Sequence, residues 1–321
     1  RRAWKKKKSR ILFGTKRRYP SLCPFVWCSR IGCVCRQGGS QLDELALKIR
    51  KDGFVKVPRK LMKLTKPQVD QAKEAIRTWT QDAMNRYAQV VAHAVQVNSQ
   101  EAMSAAFKEI ALRPGGRVDA VVPRLQLPEF NFLREGPWTA LVERLLGSDY
   151  ELGYTSAIIA FPKGYLRGWN AAPAWTETIG DQSWHRDTRI AESSMTPERQ
   201  ELHRQVFGLA MFIPLLDMIC LGESGDRVCT GLLGVIPGSH QDTSSGGYDR
   251  PHRNISAKKG SVVIYDTRLY HRGLENNSSA LRPIIQINYA KKQAVDDDLL
   301  QLKGNYGSAS LYDFPVGHPE L

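Results

Sequence analysis

The sequence predicts a helix-supported antiparallel jelly roll, and three observations carry that prediction. Helical patterning comes first in the chain. Short β-rich runs separated by Gly, Pro and polar clusters follow from Tyr154 onward. No regular alternation of strand and helix joins the two regions, which argues against a parallel, doubly wound sheet.

The elements can be justified in order. Leu42 to Arg50 reads as a short helix, and Gly53 to Val57 alternates like a strand. Thr65-Lys66-Pro67-Gln68 has the form of a capping box, with Thr and Gln three residues apart. Behind it Val69, Ala72, Ile76, Trp79, Ala83, Tyr87, Val90 and Ala94 fall on one helical face, so residues 66–96 are expected to form a long amphipathic helix. That stripe reads as core packing, and His93 within it as structural. Strands are expected at Tyr154–Phe161, Phe207–Leu216, Leu232–Ile236, Val262–Tyr265 and Ile284–Tyr289. The polar stretch 241–254 reads as a loop or lid, and no internal repeat is present.

The 321 residues, 42% of them hydrophobic, suffice for a sizeable core. The net charge of +14 is concentrated at one end. Residues 1–42 hold 12 of the 46 basic residues and no acidic one, which leaves 34 basic against 32 acidic groups elsewhere. An evenly charged body gives no case for phosphate-backbone binding, so nucleic acid is not an expected partner of the body. Residues 1–42 read as a basic leader, disordered or targeting, residues 43–290 as the folded domain, and 291–321 as a tail. Four cysteines in the leader (Cys23, Cys28, Cys33, Cys35) lack the spacing of common zinc modules. Cys220 and Cys229 are expected to be either two buried thiols or one bridge, with a reducing compartment, cytoplasmic or organellar, as the default. No apolar run approaches the ~20 residues that span a bilayer, and no transmembrane segment is expected.

The sharpest local feature is Ser183-Trp184-His185-Arg186-Asp187-Thr188. In extended chain His185 and Asp187 point to the same side and can share one ion. His271 follows a strand, residues 260–265, that could return to the same end of a barrel. Two imidazoles and one carboxylate on one face of an octahedron leave three positions open, the arrangement of oxygen-activating iron(II) enzymes. Eleven residues on lies Arg282. Alternation places Arg282, Ile284, Gln286 and Asn288 on one strand face, opposite a face that is wholly apolar or aromatic. That polar face is either an ordinary exposed surface or a barrel interior built around a ligand.

Taken together, the motif at 184–187, Gly231-Leu232-Leu233-Gly234-Val235-Ile236-Pro237-Gly238-Ser239-His240, the run from Gly260 through Tyr270-His271-Arg272-Gly273, and Arg282 resemble the phytanoyl-CoA dioxygenase family in order and spacing. The resemblance covers roughly residues 43–290, including an opening Asp52-Gly53-Phe54-Val55. It implies a double-stranded β-helix, iron(II) held by His185, Asp187 and His271, and 2-oxoglutarate anchored by Arg282. It further implies a dioxygenase that consumes O2, with ascorbate assisting, and hydroxylates a small organic or lipid-like substrate with release of succinate and CO2.

The implied charges balance. Iron(II) with one carboxylate and a dianionic co-substrate is left one negative charge, which the Arg282 guanidinium neutralises while matching a carboxylate with two parallel hydrogen bonds.

One position departs from the family. Many members carry Ser or Thr two residues after the distal histidine, and here that residue is Gly273, so Gly273→Ser is expected to tighten co-substrate binding. The segment 165–180, with Trp169 and Trp175, has no match, and neither the prime substrate nor the oligomeric state is read from the sequence. His240 and His252 read as polar loop residues and His203 as a solvated helix-face residue. The competing readings are a non-catalytic, ligand-binding barrel of the same descent, and a basic-leader tether for RNA or membrane.

Overall fold

The computed structural model describes residues 37–57, 61–62, 64–97, 110–113, 115–121, 136, 138–162, 180–188, 196–222, 226–242 and 250–296. The leader cysteines, the segment around Trp169 and Trp175, and residues 297–321 lie outside the described residues, as does the side chain of His93. Every described strand lies within one unit, Gly38–Leu321.

Helix α1 spans Gln37–Asp52, beginning five residues before the expected helix start at Leu42, and α2 spans Lys66–Val97. The capping box is reciprocal. The Thr65 N–H donates to Gln68 Oε1 at 2.9 Å, and the Gln68 N–H to Thr65 Oγ1 at 3.4 Å. A further helix, Thr139–Leu146, was not legible in the pattern.

Among the described residues twelve strands follow one another: β1 (Phe54–Val57), β2 (Ile110–Arg113), β3 (Arg117–Val121), β4 (Tyr150–Ala160), β5 (Gly208–Pro214), β6 (Cys220–Leu221), β7 (Val228–Cys229), β8 (Leu233–Val235), β9 (Arg253–Ile255), β10 (Val262–Asp266), β11 (His271–Gly273) and β12 (Arg282–Lys291). A seven-stranded sheet runs β1-β10-β5-β12-β4-β3-β2, a three-stranded one β11-β8-β9, and β6 and β7 form a ribbon. Every described pairing is antiparallel. The architecture is the expected jelly roll. Cys220 and Cys229 face each other across the β6–β7 ribbon and form a disulfide, the bridged alternative.

The large sheet separates two apolar layers. On its outer face Val55, Met211, Ile213, Ile264, Ile285 and Ile287 pack with Leu45, Ile49, Val69 and Ile76 of the two helices and with Leu141, Val142 and Leu145. On its inner face Phe54, Ala210, Phe212, Val263, Tyr265 and Ile284 pack with Leu233 and Val235 of the small sheet. β12 is buried along its length to Ala290, which decides between the two readings of its polar face: Arg282, Gln286 and Asn288 line an interior. Register orders that interior into rows, because residues directly opposite on antiparallel strands share a face. One row is Arg117–Ala160–Arg282, the next Asp119–Ile158–Ile284, then Ser156–Gln286–Phe212–Val263, and last Asn288–Ala210–Tyr265–Phe54.

Candidate metal centre

His185 and Asp187 lie in a short extended segment laid against the start of β11. The His185 N–H donates to the His271 carbonyl at 3.0 Å and the His271 N–H to the His185 carbonyl at 2.9 Å, so the two histidines pair as a bridge. Direct opposition puts their side chains on one face, with ring centroids 4.4 Å apart. Asp187, two residues on, returns to that face, and its N–H is fixed on the Thr267 carbonyl at 2.9 Å. One ligand atom from each of His185, Asp187 and His271 falls within 4.8 Å of the others.

The hydrogen bonds leave the right atoms for a metal. His185 Nδ1 lies 2.8 Å from the Ser183 carbonyl and His271 Nδ1 3.0 Å from the Leu269 carbonyl. A carbonyl only accepts, so each neutral ring carries its proton on Nδ1 and presents the Nε2 lone pair. Asp187 Oδ1 is 3.6 Å from His271 Nε2. Two neutral nitrogens and one carboxylate suit a divalent transition metal.

The turn that supplies the Thr267 and Leu269 carbonyls is clamped. Arg268 grips buried Asp266 with two hydrogen bonds, Nε to Oδ1 at 2.8 Å and Nη2 to Oδ2 at 2.5 Å, and also donates to the His203 carbonyl. His203 and His240 therefore differ from expectation, since both are buried. His203 stands edge-on to Phe207 at 5.0 Å, and His240 Nε2 meets the Arg50 carbonyl at 3.0 Å. Burial is the main cause that lowers both imidazoles below the usual histidine range. His252 is exposed, as a loop residue should be.

Arg282 is 3% exposed and its Nε donates to the Thr230 carbonyl at 3.2 Å. Burial, and then the nearby Arg117 guanidinium, push it down to about 9. Arg117, missed in the sequence, is 1% exposed and donates to the carbonyls of Gly115 (2.8 Å) and Leu274 (2.5 Å). Burial lowers it to about 10 against the opposing influence of Asp181 and Glu275. The alternation Arg117-Val118-Asp119 was the available signal, but it reads equally as a surface strand.

Gly273 also acquires a physical explanation. A Cβ there would lie 2.7 Å from both Arg117 Nε and Gln182 Oε1, and its N–H donates to Gln182 Oε1 at 3.0 Å. The space beside the distal histidine is filled by Arg117 and Gln182, so the expectation that a serine at 273 would tighten co-substrate binding does not fit this packing.

The family model described as phytanoyl-CoA dioxygenase matches residues 49–284. Among solved structures, the non-heme alpha ketoglutarate dependent epimerase SnoN from nogalamycin biosynthesis is similar with a TM-score of 0.51 at 17% identity, over 78% of this chain and 83% of that one. AviO1 from Streptomyces viridochromogenes Tue57 is similar with a TM-score of 0.50 at 17% identity, over 78% of this chain and 95% of that one. At that identity the likeness is one of fold. No curated protein sequence matches the chain.

Proposed function

The chain belongs to the phytanoyl-CoA dioxygenase family, and from that premise we propose that it is an iron(II)- and 2-oxoglutarate-dependent oxygenase that hydroxylates a small organic or lipid-like substrate. The observation that carries this reading is the convergence of His185, Asp187 and His271, with both imidazoles turned by backbone carbonyls so that Nε2 faces the shared space. His185, Asp187 and His271 would hold the metal. When bound, iron(II) would activate O2, the oxidant, which takes two electrons from the 2-oxo acid, giving succinate and CO2, and two from the substrate, with one oxygen atom entering each.

The chain's own part is positioning and charge. Arg282 offers a buried guanidinium to the far carboxylate of the co-substrate, and Arg117 stands in the same interior row. Burial lowers the proton affinity of both guanidiniums, and at Arg282 the Arg117 charge adds to it; a bound dianion would favour the charged form of Arg282. Apolar Ile158, Phe212, Val263 and Ile284 flank the polar rows and limit access of water.

The test is turnover: 2-oxoglutarate, iron(II), ascorbate and O2 supplied with a panel of acyl thioesters, lipids, alkaloid-like compounds and amino acids. Succinate formed in step with a product one oxygen heavier supports the reading. Metal-bound protein that forms no succinate with any of them overturns it in favour of a binding barrel.

A further inference from the structure

Tyr265 is fully buried on β10, in the interior row that also holds Asn288, Ala210 and Phe54. Its ring lies edge-on to Phe212, centroids 5.2 Å apart, and tilted against the His271 ring at 4.7 Å. Its hydroxyl donates to Asp187 Oδ2 at 3.1 Å and stands 3.4 Å from His271 Nε2. The two carboxylate oxygens of Asp187 thus have different neighbours: Oδ1 faces His271 Nε2 at 3.6 Å, and Oδ2 carries the phenol.

A buried phenol keeps a hydrogen-bond partner. Once a metal claims the His271 Nε2 lone pair, that nitrogen can no longer accept from the phenol, whereas Asp187 Oδ2 still can. A carboxylate with both oxygens available can bind a metal through one or both. Taking the second would consume one of the three positions that a chelating 2-oxo acid and O2 require.

We propose that Tyr265 is a positioning residue that holds Asp187 to ligation through Oδ1 alone and so keeps a coordination position open for the co-substrate. The inference rests on the metal-site reading above, and Tyr265→Phe removes only the hydroxyl that carries it.

Cobalt(II) serves as the probe, because its visible absorption reports coordination without turnover. Wild type, Tyr265→Phe and Ile264→Ala, a core variant on the opposite face of the same strand, are each loaded with cobalt(II) and titrated with 2-oxoglutarate. Tyr265→Phe is expected to bind one cobalt(II), to show an altered spectrum before 2-oxoglutarate is added, and to bind 2-oxoglutarate at least about tenfold more weakly. Ile264→Ala is expected to match wild type. Unchanged spectrum and affinity in Tyr265→Phe overturn the proposal. So does Ile264→Ala reproducing the change, since that would mark a general effect of core damage. Wild type that fails to bind cobalt(II), or His185→Ala that binds it undiminished, overturns the metal-site reading itself and is distinguished by that result.

Discussion

Arg117 and Arg282 flank Ala160: each pairs directly with it, from β3 and β12 on either side of β4, so two buried guanidiniums share one row of the interior. Strand spacing sets them two ladders apart, roughly 10 Å between backbones. Asp181 and Glu275 offset the charge of Arg117, whereas Arg282 is buried beside that cation, so an anionic ligand would be favoured at Arg282. Arg282→Ala is therefore expected to weaken 2-oxoglutarate binding by about 2–5 kcal/mol, roughly 30-fold to several thousand-fold, with metal binding nearly unchanged. Arg117→Gln is expected to act in the same direction. Isothermal titration with 2-oxoglutarate on metal-loaded protein checks both, and unaltered affinity in Arg282→Ala would assign the anchoring to another residue.

Gly273→Ser is expected to weaken 2-oxoglutarate binding and lower the melting temperature. The new Cβ would meet Arg117 Nε and Gln182 Oε1, each at 2.7 Å, and must displace one of them. The same titration and a thermal melt report the outcome. Tighter binding in the variant would show that Arg117 and Gln182 move aside readily.

The Asp266–Arg268 pair is expected to matter for stability more than its distance from the ligand atoms suggests. Both groups are buried, and removing one leaves the other charged without its partner, a cost of about 3–5 kcal/mol. Arg268→Met should therefore lower the denaturant midpoint strongly. It should also loosen the turn whose Thr267 and Leu269 carbonyls hold Asp187 and His271. A midpoint within experimental error of wild type would contradict this.

What the sequence disclosed and what it hid follow from the range of the interactions. His185 and Asp187 are two residues apart, and a two-residue period is a local property, so their shared face was legible before any fold. The face of β12 that carries Arg282, Gln286 and Asn288 was legible too, but its direction was not, because burial depends on β4 and β5 pairing on either side. Arg117 escaped for the same reason: it acquires a role only through β4, more than thirty residues later. His203 sits in a run of charged residues that reads as solvent-facing, yet Phe207 and Arg268 enclose it. Tyr265 looked like any strand residue until β11 brought His271 beside its hydroxyl.

The unmodified protein is expected to add oxygen to its substrate, or to desaturate it, and not to add chloride. A halide would need a coordination position of its own, and at the proposed site Asp187 would fill it with a carboxylate and its negative charge. Products formed in high chloride, read by mass spectrometry, decide this: a gain of one oxygen or a loss of two hydrogens agrees, and a chlorinated product disagrees.

The central claim is that His185, Asp187 and His271 form one iron site, and an anaerobic iron(II) titration tests it most directly. Wild type should bind one iron(II) per chain, and His185→Ala and His271→Ala should each abolish that binding while remaining folded by circular dichroism. Unchanged stoichiometry in both variants would contradict the account.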